Sequence, residues 1–491
     1  MERIRSCILL LDWIPDKTSS VPLYIQIKEY IRTNIENGRW TVGMKIPTQR
    51  YLAEKYGVNR STVVTAIEEL IGEGLLEGKS GSGTRVANNS WSLLSALRPP
   101  NWSVYVDNGI HYPNLSTIQK INQLEFQPHI QRLGTGEMSP SLFPSAMMKQ
   151  ILQTVSQQVT SLGYEEPKGS LGLRKEISRY LATKGLNVDP SSVLIVSGAL
   201  QAIQLIAIGI LKKGSTILHE RPSYLYSLHV FQSAGMNLQG IPMDSEGLDV
   251  KMMIGERRKT NAAILYTIPS FHNPTGLTMS QKRRTDILNT CERESLPIIE
   301  DDVYGDLWFD SPAPLPLKSH DRTGQVLYLG SLSKTLSPGL RIGWLIGPET
   351  VIDRLADIKM QTDYGSSSIS QRAAEEWLAS GMYTIHLERI RDELKRRRDI
   401  ALNALEKFFS GIARWNTPTG GYYIWLELTH SISPTVLFEQ CLHHGLLINP
   451  GSIYGSYETT TIRLSYSYVE PLDLQQGIMN LSHIVKELIK Q

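Results

Sequence analysis

The chain has 491 residues, of which 41% are hydrophobic and 20% are charged, values typical of a globular protein with more than one domain. Fifty Lys and Arg residues nearly balance 48 Asp and Glu residues, so the chain is not a polycation and any nucleic-acid binding must be local. Three widely separated cysteines argue against a disulfide framework or a metal centre, and no apolar run approaches the roughly 20 residues of a membrane span. We therefore expect a cytoplasmic protein without a metal ion.

Residues 1–21 are interpreted as an N-terminal extension. Their basic start is followed by an apolar run from Cys7 to Leu11, which Asp12 ends. That run is too short for the core of an export signal.

Residues 22–87 predict three helices followed by a two-stranded hairpin. Apolar residues recur every four positions from Leu23 to Ile35, which indicates the buried face of a first helix. Thr48 and Asn59 are placed to cap a second and a third helix, and the short glycine-containing turn between these helices is typical of a helix-turn-helix. The stretch LLEGKSGSGTRVA then predicts two strands around a glycine-rich tip.

The third helix and the hairpin are the predicted elements that suit contact with DNA. The first turn of the helix would face the major groove. Its exposed polar residues are Arg60, Ser61, Thr62 and Thr65. Lys79 and Arg85 flank the hairpin tip and suit contact with backbone phosphates. The segment is only slightly basic, so the pattern alone fits a three-helix unit without a DNA ligand equally well.

The stretch PLYIQIKEYIRTNIENGRWTVGMKIPTQRYLAEKYGVNRSTVVTAIEELIGEGLLEGKSGSGTRV resembles the winged helix-turn-helix of GntR-type bacterial regulators nearly end to end. The resemblance implies a DNA-binding domain over residues 22–87. The positions that match the family's DNA contacts are Arg50, Arg60, Thr62, Gly81 and Gly83. Thr48 and Asn59 stand where serine is commoner in the family, and both can still cap a helix.

Residues 88–130 lack clear periodicity and are predicted to be a linker. They combine turn-forming residues with scattered Trp and Tyr. These aromatic residues fit a tether that docks elsewhere and a satellite of a core equally well.

From residue 131 onward, short apolar runs alternate with helical patterns. The runs lie at 193–198, 216–220, 262–269, 296–302, 326–331 and 341–347. This alternation predicts an α/β domain, 131–491, with a mostly parallel sheet covered by helices and a small C-terminal subdomain over about 360–491. Ligands of such sheets bind beyond the carboxyl ends of the strands.

Two predicted strand ends carry groups that suit a phosphorylated ring. Gly198 precedes a helix whose first free N–H groups begin at Ala199, an arrangement that can seat a phosphate. Many ordinary strand-to-helix turns share this pattern. Tyr224 follows another strand and could stack on a flat ring or pack locally at the rim.

Later strand ends add an amide, a carboxylate and an amine. Asn273 lies in a turn, Asp301 ends an apolar strand, and Tyr304 follows three residues on. A carboxylate at such a position is costly unless a positive group pairs with it, although helix capping by Asp302 is an alternative use of this segment.

The stretch SLSKTLSPGLRIGW places Ser331, Ser333 and Lys334 after a strand, with Arg341 at the start of the next. A lone lysine is most often solvated. This one belongs to a set comprising a phosphate seat, a stacking ring, an amide, a carboxylate and hydroxyls. Pyridoxal 5′-phosphate (PLP), which proteins hold as a lysine Schiff base with an acidic partner, requires that set.

Residues from about 130 to 488 resemble fold-type I aminotransferases. The matching stretches are GYEEPKGSLGLRKEI, SGALQAI, FHNPTG, DDVY, SLSKTLSPGLRIGW, TPTGGYYIW and TIRLSYS. The resemblance implies that Lys334 forms the Schiff base with PLP and that Asp301 pairs with the pyridine nitrogen. Asn273 and Tyr304 would contact the ring hydroxyl, and Tyr224 would stack on the ring.

The same resemblance assigns the phosphate and substrate contacts. The implied phosphate ligands are Gly198, Ala199, Ser331, Ser333 and Arg341. Tyr164 matches a tyrosine that reaches the phosphate of the neighbouring subunit, so the site would be built by a homodimer. Arg463 matches the arginine that binds an α-carboxylate, for which a guanidinium offers two parallel donors.

The two halves together resemble MocR-type regulators. That resemblance implies a domain-swapped, head-to-tail homodimer that binds double-stranded DNA and senses an amino compound through its reaction with PLP. PLP itself is an alternative effector. An active aminotransferase with an accessory DNA-binding domain is the alternative function, because every group that transamination needs is present.

Overall fold

The computed structural model describes residues 13–79, 83–87, 102–111 and 113–490. The chain divides into two compact units, Met1–Ile110 and His111–Gln491. Each unit contains its own hydrophobic core. Within the described ranges, no helix is both long and apolar enough to cross a membrane.

The first unit consists of three helices and a hairpin, as predicted. The helices are α1 (Leu23–Glu36), α2 (Gln49–Tyr56) and α3 (Arg60–Gly72). The antiparallel strands β1 (Leu76–Lys79) and β2 (Gly83–Val86) follow. The apolar faces of all five elements meet in one buried cluster, which includes Ile31, Leu52, Ile67 and Val86.

Side-chain caps fix where two of these helices begin. The Thr48 hydroxyl accepts a hydrogen bond from the Tyr51 amide at 3.3 Å, and the Asn59 side chain accepts one from the Ser61 amide at 3.4 Å. Both predicted caps are therefore confirmed. Gly57 ends α2 with φ +61°, a conformation that glycine adopts without strain.

Two helices lie within the segment predicted as a linker. The first unit contains α4 (Trp102–Asp107), and α5 (Ser116–Leu124) opens the second unit. Ile118 and Ile121 are buried in the core of the second unit because their spacing of three places them on one face of α5.

The second unit is organised around an eight-stranded sheet. Its strands are β4 (Val193–Val196), β5 (Thr216–Arg221), β6 (Asn237–Asp244), β7 (Gly247–Leu248), β8 (Ile264–Thr267), β9 (Ile298–Asp301), β10 (Val326–Ser331) and β11 (Gly343–Ile346). They lie in the order β4-β11-β10-β9-β8-β5-β6-β7. Strands β10, β9, β8, β5 and β6 are parallel, whereas β11 is antiparallel to both of its neighbours and β7 to β6. The prediction of a mostly parallel sheet is confirmed.

Helices cover this sheet and bury its strands. They are α6 (Ser145–Gln158), α7 (Leu171–Ala182), α8 (Ala199–Gly209), α9 (Val230–Ser233), α10 (Val250–Thr260), α11 (Gln281–Arg293), α12 (Glu349–Thr362) and α13 (Ser368–Ala379). Every residue of β4, β8, β9, β10 and β11 is buried, which explains why these strands read as continuous apolar runs.

A smaller antiparallel sheet forms the C-terminal part of the unit. The 28-residue helix α14 (Met382–Phe409) leads into β12 (Ala413–Trp415) and β13 (Tyr423–Leu428). The remaining elements of this C-terminal part are α15 (Pro434–His443), β14 (Leu446–Leu447), β15 (Asn449–Pro450), β16 (Thr461–Ser465) and α16 (Pro471–Lys490). The sheet order is β12-β13-β16-β15.

A short parallel pair fixes the chain that enters the second unit. Strand β3 (Gln131–Arg132) lies beside β14, and the Ser465 amide donates to the Leu133 carbonyl at 2.7 Å. These bonds hold residues 134–136 next to the small sheet.

Candidate functional site

The carboxyl ends of the parallel strands bring most of the predicted site residues to one edge of the large sheet. Strands β8, β9 and β10 run parallel and end at this edge. Asp301 is the last residue of β9, and Asn273 and Lys334 follow β8 and β10. Antiparallel β11 begins there, and its Gly343 pairs with Ser331 of β10 and with Val196 of β4. The register therefore places the residues after β4 and before β11 side by side.

Gly198, Arg341 and two serines form one end of the site. Gly198 precedes α8 with φ +87°, a conformation that favours glycine, and a methyl group on it would lie 2.6 Å from Arg341 Nη2. Arg341 Nη2 donates to the Ser197 carbonyl at 2.5 Å. The Ser331 hydroxyl lies 3.0 Å from that of Ser333. A guanidinium, two hydroxyls and the free N–H groups of a helix N-terminus together suit a phosphate.

Asp301 provides a buried carboxylate in the middle of the site. It is 3% exposed and accepts a hydrogen bond from the Tyr266 hydroxyl at 2.7 Å. Burial raises the pKa of Asp301 to about 6, while the Tyr266 bond and the more distant Lys334 oppose that shift. Because no side-chain cation in the described part of the chain forms an ion pair with it, this carboxylate suits a protonated ring nitrogen.

Lys334 lies on the loop after β10, and its ammonium group faces the entering chain. Its Nζ donates to the Gly136 carbonyl at 2.6 Å, and its own carbonyl accepts a hydrogen bond from the Tyr422 hydroxyl. The next residue, Thr335, accepts a hydrogen bond from the Tyr383 hydroxyl at 2.8 Å. The lysine backbone is therefore fixed from two sides while its side chain makes one hydrogen bond.

Arg463 projects from β16 and is a buried cation that pairs with no carboxylate in the described ranges. Its Nη1 donates to Asn273 Oδ1 at 2.7 Å and its Nη2 to the Gly134 carbonyl at 2.6 Å. Its guanidinium carbon lies 4.2 Å from the ring centre of Tyr423 and 4.9 Å from that of Tyr454. Its Nε is buried without a hydrogen-bond partner among the described residues. A buried charge satisfied only by neutral groups is suited to an anionic ligand.

The predicted aromatic residues occupy the same site. The Tyr304 hydroxyl lies 2.8 Å from that of Tyr423, and both rings are buried. Tyr224 is half-buried on the turn after β5, where burial and the Asp301 charge raise the pKa of its phenol, and Arg463 partly offsets this. The structure thus brings Tyr224 and Tyr304 together with Asp301 and Arg463.

Tyr164 lies apart from this group. It is 82% exposed, and its ring makes an edge-to-face contact with Tyr364 at 4.8 Å. An exposed aromatic pair of this kind is suited to a partner surface.

Several residues that complete the site were not predicted from the sequence. Tyr423 and Tyr454 flank Arg463, Tyr422 fixes the backbone of Lys334, and Gly134 and Gly136 accept hydrogen bonds from the two cations. Tyr422 and Tyr423 lie in TPTGGYYIW, one of the stretches that resemble aminotransferases. Nothing in the sequence around Gly134 indicates that its carbonyl meets a guanidinium more than 300 residues away.

The first unit carries a second candidate surface on α2, α3 and the hairpin. Arg50, Arg60, Ser61 and Thr65 are exposed, Thr62 is half-buried, and the Thr65 hydroxyl donates to the Ser61 carbonyl. Arg85 is exposed, but its Nη1 donates to the Gly43 carbonyl at 2.8 Å, so it also holds the hairpin to the preceding loop.

The hairpin tip is described in part. Gly83 has φ +88°, and a methyl group on it would lie 2.6 Å from Lys45 Cε. Lys79 is the last residue of β1. Gly81 lies outside the described residues.

Each of the two units matches a known protein family. Residues 23–86 match the model of bacterial regulatory proteins of the gntR family, and residues 128–480 match that of aminotransferase class I and II. The HTH-type transcriptional regulator YdfD of Bacillus subtilis is 54% identical, and the match covers 96% of this chain and 98% of that protein. NorG of Staphylococcus aureus, also an HTH-type transcriptional regulator, is 36% identical over 91% of this chain and all of NorG.

The chain belongs to the MocR-type transcriptional regulators. As a member of the GntR family, this MocR-type regulator binds DNA. Its second unit belongs to the PLP-dependent class I and II aminotransferase family.

Solved aminotransferases resemble the second unit of this MocR-type protein. A multiple substrate aminotransferase from Thermococcus profundus aligns with a TM-score of 0.74 and 28% identity, covering 80% of this chain and all of that one. A kynurenine aminotransferase from Pyrococcus horikoshii, solved in complex with PMP, aligns with a TM-score of 0.73 and 29% identity, covering 79% of this chain and 97% of that one.

Proposed function

We propose that this MocR-type regulator senses an amino compound that carries a carboxylate, and that the binding of this compound at the PLP site changes its affinity for DNA. The observation that carries the proposal is Arg463, a buried guanidinium without a carboxylate partner among the described residues, in the same site as Lys334. In this proposal a DNA-binding domain over 22–87 is joined by 88–130 to a PLP-binding domain over 131–491.

The residues of the site fit PLP. Its phosphate would bind the Ala199 amide, the hydroxyls of Ser331 and Ser333, and Arg341. It would compete with the Val196 carbonyl for the Gly198 amide, which donates to that carbonyl at 2.9 Å. Its ring nitrogen would pair with Asp301, its ring hydroxyl with Asn273 and Tyr304, and its face with Tyr224. Two observations support this fit: the close approach of Arg341 to Gly198, and the buried Asp301 carboxylate, which pairs with no cation among the described residues. PLP supplies an aldehyde that condenses with a primary amine.

The chain's own residues would respond to an amino ligand at two points. Lys334 Nζ has a second partner available in the Gly136 carbonyl, which would hold the side chain when an incoming amine takes its place. A ligand carboxylate would compete with Asn273 and the Gly134 carbonyl for Arg463, because a charged acceptor binds a guanidinium more strongly than a neutral one does. Both exchanges act on residues 134–136, which directly follow the segment 131–133 that bonds to β14 and β16. A ligand shifts a conformational equilibrium only through such differential contacts.

An active aminotransferase with an accessory DNA-binding domain is the second candidate function. It is supported by the 28–29% identity to solved aminotransferases and by the presence of both a lysine and a carboxylate at the strand ends. PLP itself, bound or absent, is an alternative effector for the regulator.

A spectroscopic titration tests the proposal. Amino acids and the matching amines without a carboxylate would be added to the full chain while the near-visible band of bound PLP and the affinity for DNA are measured together. We expect an amino acid to change both, and Lys334→Ala to uncouple DNA affinity from that ligand. The matched control is Lys318→Ala, a half-buried lysine outside the site that pairs with Asp321. Steady-state turnover of an amino acid and keto acid pair, with DNA affinity unchanged, would favour the enzyme instead.

A further inference from the structure

A cavity of about 670 Å³ lies in the second unit, and none of the predicted PLP-site residues line it. Its walls come from α7 and the residues that follow it, the segment 302–316 after β9, and the first turns of α14. The lining residues that matter here are Tyr180, Lys184, Asp302, Trp308, Tyr383 and Arg391. A cavity of this size is typical of those that hold small molecules.

Asp302 gives this cavity a buried acceptor that no described residue satisfies. The residue is 5% exposed, and its Oδ2 accepts a hydrogen bond from Tyr328 at 2.8 Å and from Lys184 at 3.4 Å. Its Oδ1 is buried without a hydrogen-bond partner in the described part of the chain. A methyl group on Gly305 would lie 2.4 Å from this oxygen, so the oxygen occupies space that a side chain at position 305 would fill. An unsatisfied buried carboxylate oxygen is costly, and a ligand with a donor would remove that cost.

The other charges of the cavity are already balanced. Lys184 Nζ lies 3.2 Å from Asp306 Oδ1, and the Tyr180 hydroxyl donates to the other oxygen of that carboxylate. Arg391 Nε donates to the Asp306 carbonyl at 2.6 Å, and its guanidinium lies over the Trp308 ring at 4.0 Å. Glu176 and Arg179, which also line the cavity, form an ion pair with each other. Three carboxylates therefore face three cations, which favours an uncharged ligand.

The remaining walls are flat and apolar. The rings of Tyr180, Trp308 and Tyr383 line the cavity, and so do three prolines of the segment 312–316. Rings and prolines present rigid surfaces, since few of their torsions are free.

We propose that this cavity is a second small-molecule site, and that it takes an uncharged aromatic compound whose hydroxyl or ring N–H donates to Asp302. This ligand differs from the amino compound of the PLP site because it needs neither a reactive amine nor a carboxylate. The assignment does not depend on the proposed function.

One hydrogen bond and one pair of adjacent residues connect the walls of this cavity to the PLP site. Tyr383 lines the cavity and donates to Thr335, the residue after Lys334. Asp302 directly follows Asp301 at the end of β9. Occupation of the cavity would therefore act on the lysine loop and on the strand end that carries the buried carboxylate.

Phenol, which has a ring and one donor but no amine, is the probe. Its binding to the full, PLP-loaded chain would be measured by calorimetry against anisole, which has the same ring and no donor. We expect phenol to bind about tenfold more tightly than anisole, the factor for one hydrogen bond to a charged acceptor. Equal affinities, or no phenol binding, would overturn the proposal.

A matched pair of variants locates the bound phenol. Ala313→Trp introduces an indole at a half-buried position that lines the cavity, whereas Ala182→Trp introduces it at an exposed position outside the lining. We expect phenol affinity to fall about tenfold or more in the first variant only, since an indole occupies much of the space. Equal loss in both variants, or in neither, would place phenol elsewhere and overturn the assignment.

The band of bound PLP supplies a second readout. Phenol should shift this band in the wild-type chain and in Ala182→Trp, but not in Ala313→Trp. An unchanged resting band and melting temperature would show that both variants fold. Binding of phenol without any shift would overturn the coupling between the cavity and the lysine loop.

Discussion

The buried acid Glu220 makes the stability of the second unit depend on pH. Glu220, at the end of β5, accepts hydrogen bonds from the Thr267 hydroxyl and, at 3.1 Å, from the Ile268 amide. Its second oxygen lies 3.9 Å from His272 Nε2, and neither atom has a hydrogen-bond partner among the described residues. Burial raises the pKa of Glu220 to about 7 and lowers that of His272 to about 3. The two groups are therefore both neutral in mildly acidic solution.

This raised pKa predicts a pH-dependent stability. The neutral form of Glu220 favours the folded state, so its contribution is complete below pH 4.5 and is lost as the pH rises through about 7. The loss is of the order of 3 kcal/mol. Glu220→Gln keeps an acceptor for Thr267 and cannot ionise, so its melting temperature should rise by several degrees relative to wild type between pH 5 and pH 8.

Thermal unfolding of the full chain at the two pH values measures this difference. Glu246→Gln, at an exposed position, is the control and should run parallel to wild type. A Glu220→Gln profile that is also parallel to wild type would contradict the raised pKa.

Among the elements, helix α3 and the hairpin have different amounts of freedom to contact DNA. Arg60 is exposed in the first turn of α3 and forms no ion pair with a described residue. Arg85 on β2 donates to the Gly43 carbonyl, so one nitrogen of its guanidinium already forms a hydrogen bond within the protein. The helix is therefore the better element on which to test DNA recognition.

Arg60→Ala should weaken binding to a duplex that the wild-type protein selects from a random pool. One arginine contact is worth about 1–3 kcal/mol, which corresponds to roughly tenfold or more in affinity. The dependence of affinity on salt should also become less steep, because fewer counterions are released. Mobility-shift titrations at several salt concentrations measure both effects.

Arg322→Ala removes an exposed arginine from the second unit and is the matched control. The PLP band should be unchanged in both variants. Unaltered DNA affinity in Arg60→Ala would show that α3 does not present this residue to DNA.

At the scale of the whole molecule, the exposed Tyr164 bears on assembly. Its only described ring contact is with Tyr364, which is itself 58% exposed. All other predicted cofactor residues lie at the edge of the large sheet in one chain. A homodimer in which Tyr164 completes the neighbouring subunit's site accounts for a tyrosine that is otherwise left on the surface.

Hybrid dimers test this assembly. One subunit carries Lys334→Ala and the other Tyr164→Ala, so a site shared between chains leaves one site with both native residues. We expect the hybrid to recover half of the wild-type PLP band, because the intact lysine and tyrosine meet across the interface. The measurement is absorbance per subunit after removal of free PLP.

The two parent homodimers are the controls. Lys334→Ala should lack the band, and Tyr164→Ala should retain PLP weakly. A hybrid no stronger than the Tyr164→Ala parent would show that Tyr164 serves its own chain or none.

The sequence by itself determined the architecture and which strand ends carry the predicted site residues. Caps such as Thr48 and Asn59 are local, because side chain and amide lie within three residues. Asp301 and Lys334 follow apolar runs, and parallel strands bring such ends to one edge. Caps and strand ends depend on residues that are close in sequence, so the sequence alone is enough to predict them.

The tertiary structure alone decided which distant groups meet. The Gly134 and Gly136 carbonyls accept hydrogen bonds from Arg463 and Lys334, across 329 and 198 residues of sequence. The cavity that contains Asp302 depends on the packing of α7 and α14 against one loop. Carbonyl direction and cavity shape arise from the packing of separate elements, and no periodicity or motif encodes them.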